Sequence, residues 1–158
     1  MTKKQKKIEL PKREIKFRAW NLETKTMHYA SKEPHTDDEG YLWRSVLLLD
    51  CDGWSIWKVP ENVWYRGVKE DKRELLVNYE NGILMQYTGL KDKNGREIYE
   101  GDIVKIDGSK KLRRVFWDDA GFYIDGEDEN TKEDLMYSVF YKVITIIGNI
   151  FQNPELLN

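Results

Sequence analysis

The chain has 158 residues, 26 basic and 28 acidic side chains for a net charge of −2, one cysteine and two histidines. That length buries enough surface to fold without a metal or disulfide staple, and the lone Cys51 excludes an intramolecular disulfide framework and a multi-cysteine zinc site. Six Trp, nine Tyr and five Phe supply apolar area to a lean, 40% hydrophobic composition, and no apolar run reaches the ~18 residues of a membrane span.

Charge is uneven along the sequence. Residues 1–18 carry Lys3, Lys4, Lys6, Lys7, Lys12, Arg13, Lys16 and Arg18 against Glu9 and Glu14, a balance of +6 that leaves −8 on the rest. Residues 1–13 read as a basic flexible arm ending near Pro11, with no apolar segment of a secretory signal behind the first lysines. The arm suits an acidic surface such as phosphate; a solvated leader is the plainer reading.

Strand signals dominate from Ile15. Ile15, Phe17 and Ala19 alternate with Lys16, Arg18 and Trp20, a polar turn follows over residues 21–26, and Met27 to Tyr29 return as the second strand of a hairpin. Residues 31–40 read as a loop. Val46 to Leu49 form a short buried strand, Asp52-Gly53 a turn, and Trp54 to Val59 a strand ended by Pro60. Residues 69–79 suit a short helix or a strand.

In the second half the turns are readable in detail. A two-residue Asn94-Gly95 turn would oppose Lys93 to Arg96 and Asp92 to Glu97, both like-charge pairs. A type I turn with Gly95 left-handed in a bulge instead faces Asp92 with Arg96, Lys91 with Glu97 and Leu90 with Ile98, and is therefore predicted. The same spacing in Asp118-Asp119-Ala120-Gly121 predicts Trp117 opposite Tyr123 and Phe116 opposite Ile124. Residues 107–111 are a polar loop, and Thr131 caps a short helix over 132–140. Val143 to Ile147 form the most apolar strand, continuing past Gly148 to Phe151, and Asn153-Pro154-Glu155 starts one closing helical turn. Short strands with turns every ~8–12 residues predict a small β-barrel over 85–152.

Signatures of chemistry are scarce. No pair of glycines has dinucleotide-fingerprint spacing and no phosphate-loop motif occurs. His28 and His35 lack cysteine partners, so zinc is not expected. Cys51 between Asp50 and Asp52 is a poor thiolate. The acids Asp125, Glu127, Asp128, Glu129, Glu133 and Asp134 miss the calcium-loop spacing and read as a solvated, self-repelling loop. Lys105, Lys110, Lys111, Arg113 and Arg114 cluster about one β-loop with Phe116 and Trp117 following, a candidate nucleic-acid contact. A core role for the aromatics and a solubilising one for the lysines competes with it, and the −8 of the body argues against a broad DNA-binding face.

Ile15-Lys16-Phe17-Arg18-Ala19-Trp20-Asn21 with Thr24-Lys25-Thr26-Met27 resembles the opening of the YopX-like family of phage and prophage proteins. The run from Leu84 to Val104 is similar to that family's central signature, and Ile147 to Phe151 with Asn153-Pro154-Glu155-Leu156-Leu157 to its closing motif. Residues 31–83 and 107–142 depart freely. The resemblance implies a cytoplasmic, largely β protein expressed from a phage or prophage, and it transfers no catalytic residues. The signature residues Tyr87, Gly89, Leu90, Asp92, Asn94, Gly95, Tyr99, Gly101 and Asp102 read as structural, since its glycines fall where turns or bulges are wanted.

The expectation is a mainly β (β-rich α+β) fold: hairpins, a small SH3-like C-terminal barrel, and one or two short helices. Residues 14–84 and 85–158 form two regions or one integrated domain over 14–158. The expected role is a non-enzymatic protein-binding or assembly module without metal or cofactor, cytoplasmic in a bacterial host, a homo-oligomer meeting a phage or host protein. The alternative is a nucleic-acid accessory protein using the arm and the 105–114 loop.

Overall fold

A computed structural model describes residues 14–30, 35–36, 42–50, 53–60, 74–128, 130–141 and 143–157. The basic arm and Cys51 lie outside them, as do residues 69–73 of the helix-or-strand segment. The fold is mainly β, as expected, and no helix among the described residues is long and apolar enough to cross a membrane.

The first sheet is built on β1 (Phe17–Asn21), which pairs antiparallel with β2 (Thr26–Ala30) on one side and β7 (Gly82–Lys91) on the other. The β1–β2 turn forms where Asn21 Oδ1 accepts from the amides of Glu23 and Thr24, at 2.9 and 3.0 Å, a local bond that competes with continued strand. The long β7 runs on to pair with β8 (Glu97–Tyr99), giving the order β2-β1-β7-β8. The bulged turn is found as expected: Lys91 faces Glu97, the amide of Asp92 donates to Arg96 O, and Gly95 sits at φ 80°. Leu90 does not face Ile98. The ladder jumps from Lys91–Glu97 to Tyr87–Tyr99, so β7 carries extra residues around Gly89, and Thr88 Oγ1 fills the gap by donating to Ile98 O. Leu90 packs on the cluster that contains Ile98.

A second sheet has the order β3-β4-β5-β6, from His35–Thr36, Leu42–Asp50, Gly53–Pro60 and Glu74–Asn78. The 69–79 ambiguity resolves to a strand over Glu74–Asn78. Val46 to Leu49 are not a buried strand: they sit within a longer one, and Leu49 is 73% exposed. Successive residues of a strand point to opposite faces, so Leu47 packs with Ile56, Val77 and Ala19 while its neighbours cannot.

The third sheet, β12-β11-β10-β9-β13, curls as a half-barrel from Lys132–Asp134, Gly121–Asp125, Leu112–Asp118, Asp102–Ile106 and Ile144–Asn149. Val104, Ile106, Val115, Ile124, Ile144 and Ile146 fill it, with Ile98 and Leu135; each fully buried side chain of this kind stabilises by roughly 1.5–3 kcal/mol. Three expectations are corrected here. Asp118 pairs with Gly121, Trp117 with Phe122 and Phe116 with Tyr123. The turn is two-residue, with Asp119 and Ala120 both at positive φ (40° and 60°), and Lys132 Nζ bonds both Asp118 and Asp119 at 2.6 Å. The helix α1 (Leu135–Tyr141) starts later than Thr131, because residues 132–134 pair with β11 and Asp134 caps by accepting from the Tyr137 amide at 2.8 Å. The last strand ends at Asn149, after a bulge between Ile146 and Gly148, before a closing 3-10 turn over Pro154–Leu157.

Candidate functional site

Where β1, β2, β8 and the start of β9 meet, a cleft of about 280 Å³ is lined by Arg18, Tyr29, Arg96, Glu97, Tyr99, Asp102 and Ile146. The strand pairing of Arg18 with Tyr29 on one side and Met85 on the other fixes where its side chain leaves β1. Gly101 brings Asp102 to it: a left-handed φ of 79° turns the backbone there, and a Cβ would press on Met85 Sδ at 3.2 Å and Asn149 Nδ2 at 3.3 Å.

Arg18 and Asp102 are paired in the interior. Nη2 donates to Asp102 Oδ1 at 2.6 Å and to Glu100 O at 3.2 Å, while Asp102 Oδ2 accepts from the Tyr99 amide at 2.8 Å. Burial holds the Asp102 carboxyl above its ordinary range even though the Arg18 charge and these donors oppose it. The guanidinium also lies over the Tyr99 ring, 4.6 Å from its centre.

A second series of bonds rims the cleft. Tyr99 Oη donates to Glu97 Oε2 at 2.9 Å, and Lys16 Nζ donates to Glu97 Oε1 at 2.5 Å. Burial opposes ionisation of Glu97, but the Lys16 and Tyr99 bonds and the charges of Lys16 and Lys91 hold its carboxyl below the usual range. Tyr99 is pushed up, first by burial and then by Glu97. Its ring stands edge-on to Tyr29 at 6.0 Å and tilted against Tyr87 at 5.4 Å.

The signature residues thus divide. Tyr99 and Asp102 line the cleft, and Tyr87 backs it. Gly89, Leu90, Asn94 and Gly95 shape the hairpin, while Gly101 makes the turn into β9. Asp92 fastens the hairpin to β13: Oδ1 accepts from Asn94 and Arg96 amides, and Oδ2 from the Ile146 amide at 3.1 Å. Sequence reasoning does not single out Arg18 or Arg96. The available signal is a lone arginine between Phe17 and Ala19-Trp20, which in a buried strand demands an acid.

The 105–114 loop does not assemble the basic surface that its sequence suggests. Arg113 has no exposed surface; Nη1 bonds Glu133 Oε1 at 2.6 Å and Nη2 bonds Glu127 Oε1. Lys111 Nζ donates to the carbonyls of Gly126 and Glu127, and Arg114 pairs with Asp125 at 3.3 Å. Only Lys105 and Lys110 of the five stay exposed without such partners among the described residues. Asp125, Glu127 and Glu133, from the acidic stretch expected to repel itself, are counter-charges of this strand. Trp117 is largely exposed and stands edge-on to Phe122, 4.7 Å away. His28 Nε2 lies 2.8 Å from Thr26 Oγ1, and no group of three or more His, Cys, Asp or Glu among the described residues is placed to hold a metal.

Residues 16–158 match the model of the family described as YopX protein. Over 147 residues the sequence is 30% identical to the SPbeta prophage-derived uncharacterized protein YopX of Bacillus subtilis strain 168, covering 89% of this chain and 94% of that protein. Among solved structures it is similar to protein EF1440 from Enterococcus faecalis, with a TM-score of 0.52 and 27% identity over 91% of this chain and 98% of that one. With its central and closing motifs and all but Ile15 of its opening motif inside the matched span, the chain belongs to the YopX protein family.

Proposed function

We propose that the protein is a phage- or prophage-encoded, non-enzymatic binding or assembly module that recognises a protein partner through the Arg18–Tyr99 cleft. It acts in the cytoplasm of a bacterial host, as a homo-oligomer. The observation that carries this reading is the state of the cleft's ionisable groups. Both carboxylates are held by cations, Asp102 by Arg18 and Glu97 by Lys16, which leaves them poorly suited to abstract or deliver a proton. What opens to solvent is hydrogen-bond donor and aromatic surface, with Tyr29 51% exposed at the mouth, a composition suited to protein contacts.

Photo-crosslinking in the host tests it. Tyr29→p-benzoylphenylalanine should give a discrete adduct with another polypeptide, reduced by a second change, Arg96→Gln; the same probe at the exposed Asp107 should not. Adducts at both positions, or an adduct indifferent to Arg96, would overturn the assignment of the cleft.

A further inference from the structure

Arg18 is more than nine-tenths buried, yet its guanidinium is not fully used. Nη2 makes two hydrogen bonds, and Nε is sealed from solvent without a partner. Nη1 has no hydrogen bond among the described residues and is not sealed off like Nε, and the side chain that carries it lines the cleft. Arg96 lines the same cleft with Nη1 anchored on Ile146 O at 3.2 Å, which leaves Nη2 and Nε without partners among the described residues. Two guanidinium groups fixed by the fold, each with donors to spare, therefore serve one small space. A buried, pre-positioned donor such as Arg18 binds an acceptor more strongly than a mobile surface arginine, because little side-chain freedom is lost on binding. The exposed Arg96 is steadied by its bond to Ile146 O.

The charge and size of the space select the ligand. Two arginines stand against Glu97 and Asp102 at the cleft, so its charges balance, and a ligand with one negative charge disturbs that balance less than a compact dianion such as phosphate. A single planar carboxylate matches the guanidinium fork and adds one negative charge only. About 280 Å³ lies just below the usual range of small-ligand sites, room for one or two side chains rather than a larger ligand. Tyr29, Tyr99 and Ile146 offer apolar wall to the carbon stem behind such a carboxylate.

We infer that the Arg18–Arg96 cleft is a carboxylate receptor that takes one acidic group of a partner polypeptide, a Glu or Asp side chain or the polypeptide's own C-terminus. This rests on the binding-module reading and gives it a chemistry. The Arg18–Asp102 pair is positioning: Asp102 holds Nη2 and so fixes the guanidinium at the cleft.

The test uses the full-length, nitrogen-15-labelled protein and short Gly/Ser peptides in amide-shift titrations. One peptide carries a central Glu with both ends blocked. A second carries Gln there and a free C-terminal carboxylate, and a third carries Gln with both ends blocked. The first or the second should move the amides of Tyr29, Arg96 and Tyr99 and the Arg18 Nε signal, and the stronger of the two identifies the source. The third should leave them in place. Arg96→Gln and Tyr29→Ala change exposed side chains, so these variants should keep the fold and weaken the carboxylate peptide about tenfold. Equal shifts from the blocked Gln peptide, equal shifts from inorganic phosphate, or no shifts at all would overturn the inference. If titration fails while the Tyr29 crosslink still depends on Arg96, only the ligand chemistry is wrong. If both fail, the cleft is not the binding site.

Discussion

Arg18 and Asp102 lie 84 residues apart in sequence and meet at 2.6 Å, with side chains only 7% and 2% exposed. One comes from the family's opening motif and the other from its central signature, so the pair fastens the N-terminal hairpin to the C-terminal half-barrel. Such a pair is a poor source of net stability, since desolvating two ions offsets their attraction. Its value here is geometric, in setting the direction of Arg18 and the floor of the cleft.

Asp92 should matter more to stability than its place in a turn suggests. Its carboxylate accepts three backbone amides from two parts of the fold, and Asp92→Ala should cost about 2–4 kcal/mol in urea unfolding. Acid should reveal it too. Burial raises the carboxyl, but the Ile146, Arg96 and Asn94 amides outweigh it, so the folded pKa lies below the ordinary value; Glu97 is also lowered. A depressed folded pKa stabilises above the unfolded value, near 4, and that contribution is lost as pH falls through the folded one. Glu100 and Asp102, raised by burial, act in the opposite sense. The comparison is therefore wild type against Asp92→Asn, whose stability should fall less steeply below about pH 4.

Gly101→Ala and Gly108→Ala separate backbone strain from crowding. Both glycines have positive φ, at 79° and 87°, but only at Gly101 would a Cβ meet neighbours. Gly108→Ala should cost ~1–2 kcal/mol from conformation alone. Gly101→Ala should cost measurably more and disturb the signals of Met85 and Asn149.

The basic loop should behave as structure. Arg113→Ala leaves Glu133 facing an emptied interior and should destabilise by ~3–5 kcal/mol, whereas Lys105→Ala and Lys110→Ala should leave stability unchanged. In fluorescence anisotropy at low salt, any oligonucleotide binding should be indifferent to Lys105→Ala and Lys110→Ala. A marked loss would restore the loop as a nucleic-acid contact.

Self-assembly has its own measurement. Sedimentation of the full-length protein should show a species heavier than the 18.8 kDa protomer. A monomer at all concentrations would remove the homo-oligomer from the proposed function and leave the cleft untouched.

Local features are the legible ones. Charge complementarity across Lys91–Glu97 is a nearest-neighbour property, and it suffices to choose the Gly95 bulge. The Asp118–Gly121 turn departs from expectation because the same spacing also admits the two-residue turn found, with Asp119 and Ala120 both at positive φ. Arg18 and Arg113 both look like surface cations in the sequence, since strand alternation places a side chain on a face without saying whether another sheet covers it. Their partners Asp102 and Glu133 are 84 and 20 residues away. The cleft is hidden for the same reason: its walls come from three separated segments, and the opening and central motifs that carry Arg18, Tyr99 and Asp102 do not show that these residues meet.

The most direct measurement is a double-mutant cycle on Arg18 and Asp102 by urea unfolding, read together with the Tyr29 and Tyr99 signals. If the buried pair organises the cleft, Arg18→Met alone strands a buried carboxylate and should cost about 3–5 kcal/mol. Arg18→Met with Asp102→Leu should recover most of that stability, yet leave the Tyr29 and Tyr99 signals displaced. Additive losses with unmoved tyrosines would contradict the pair as the organiser of the site.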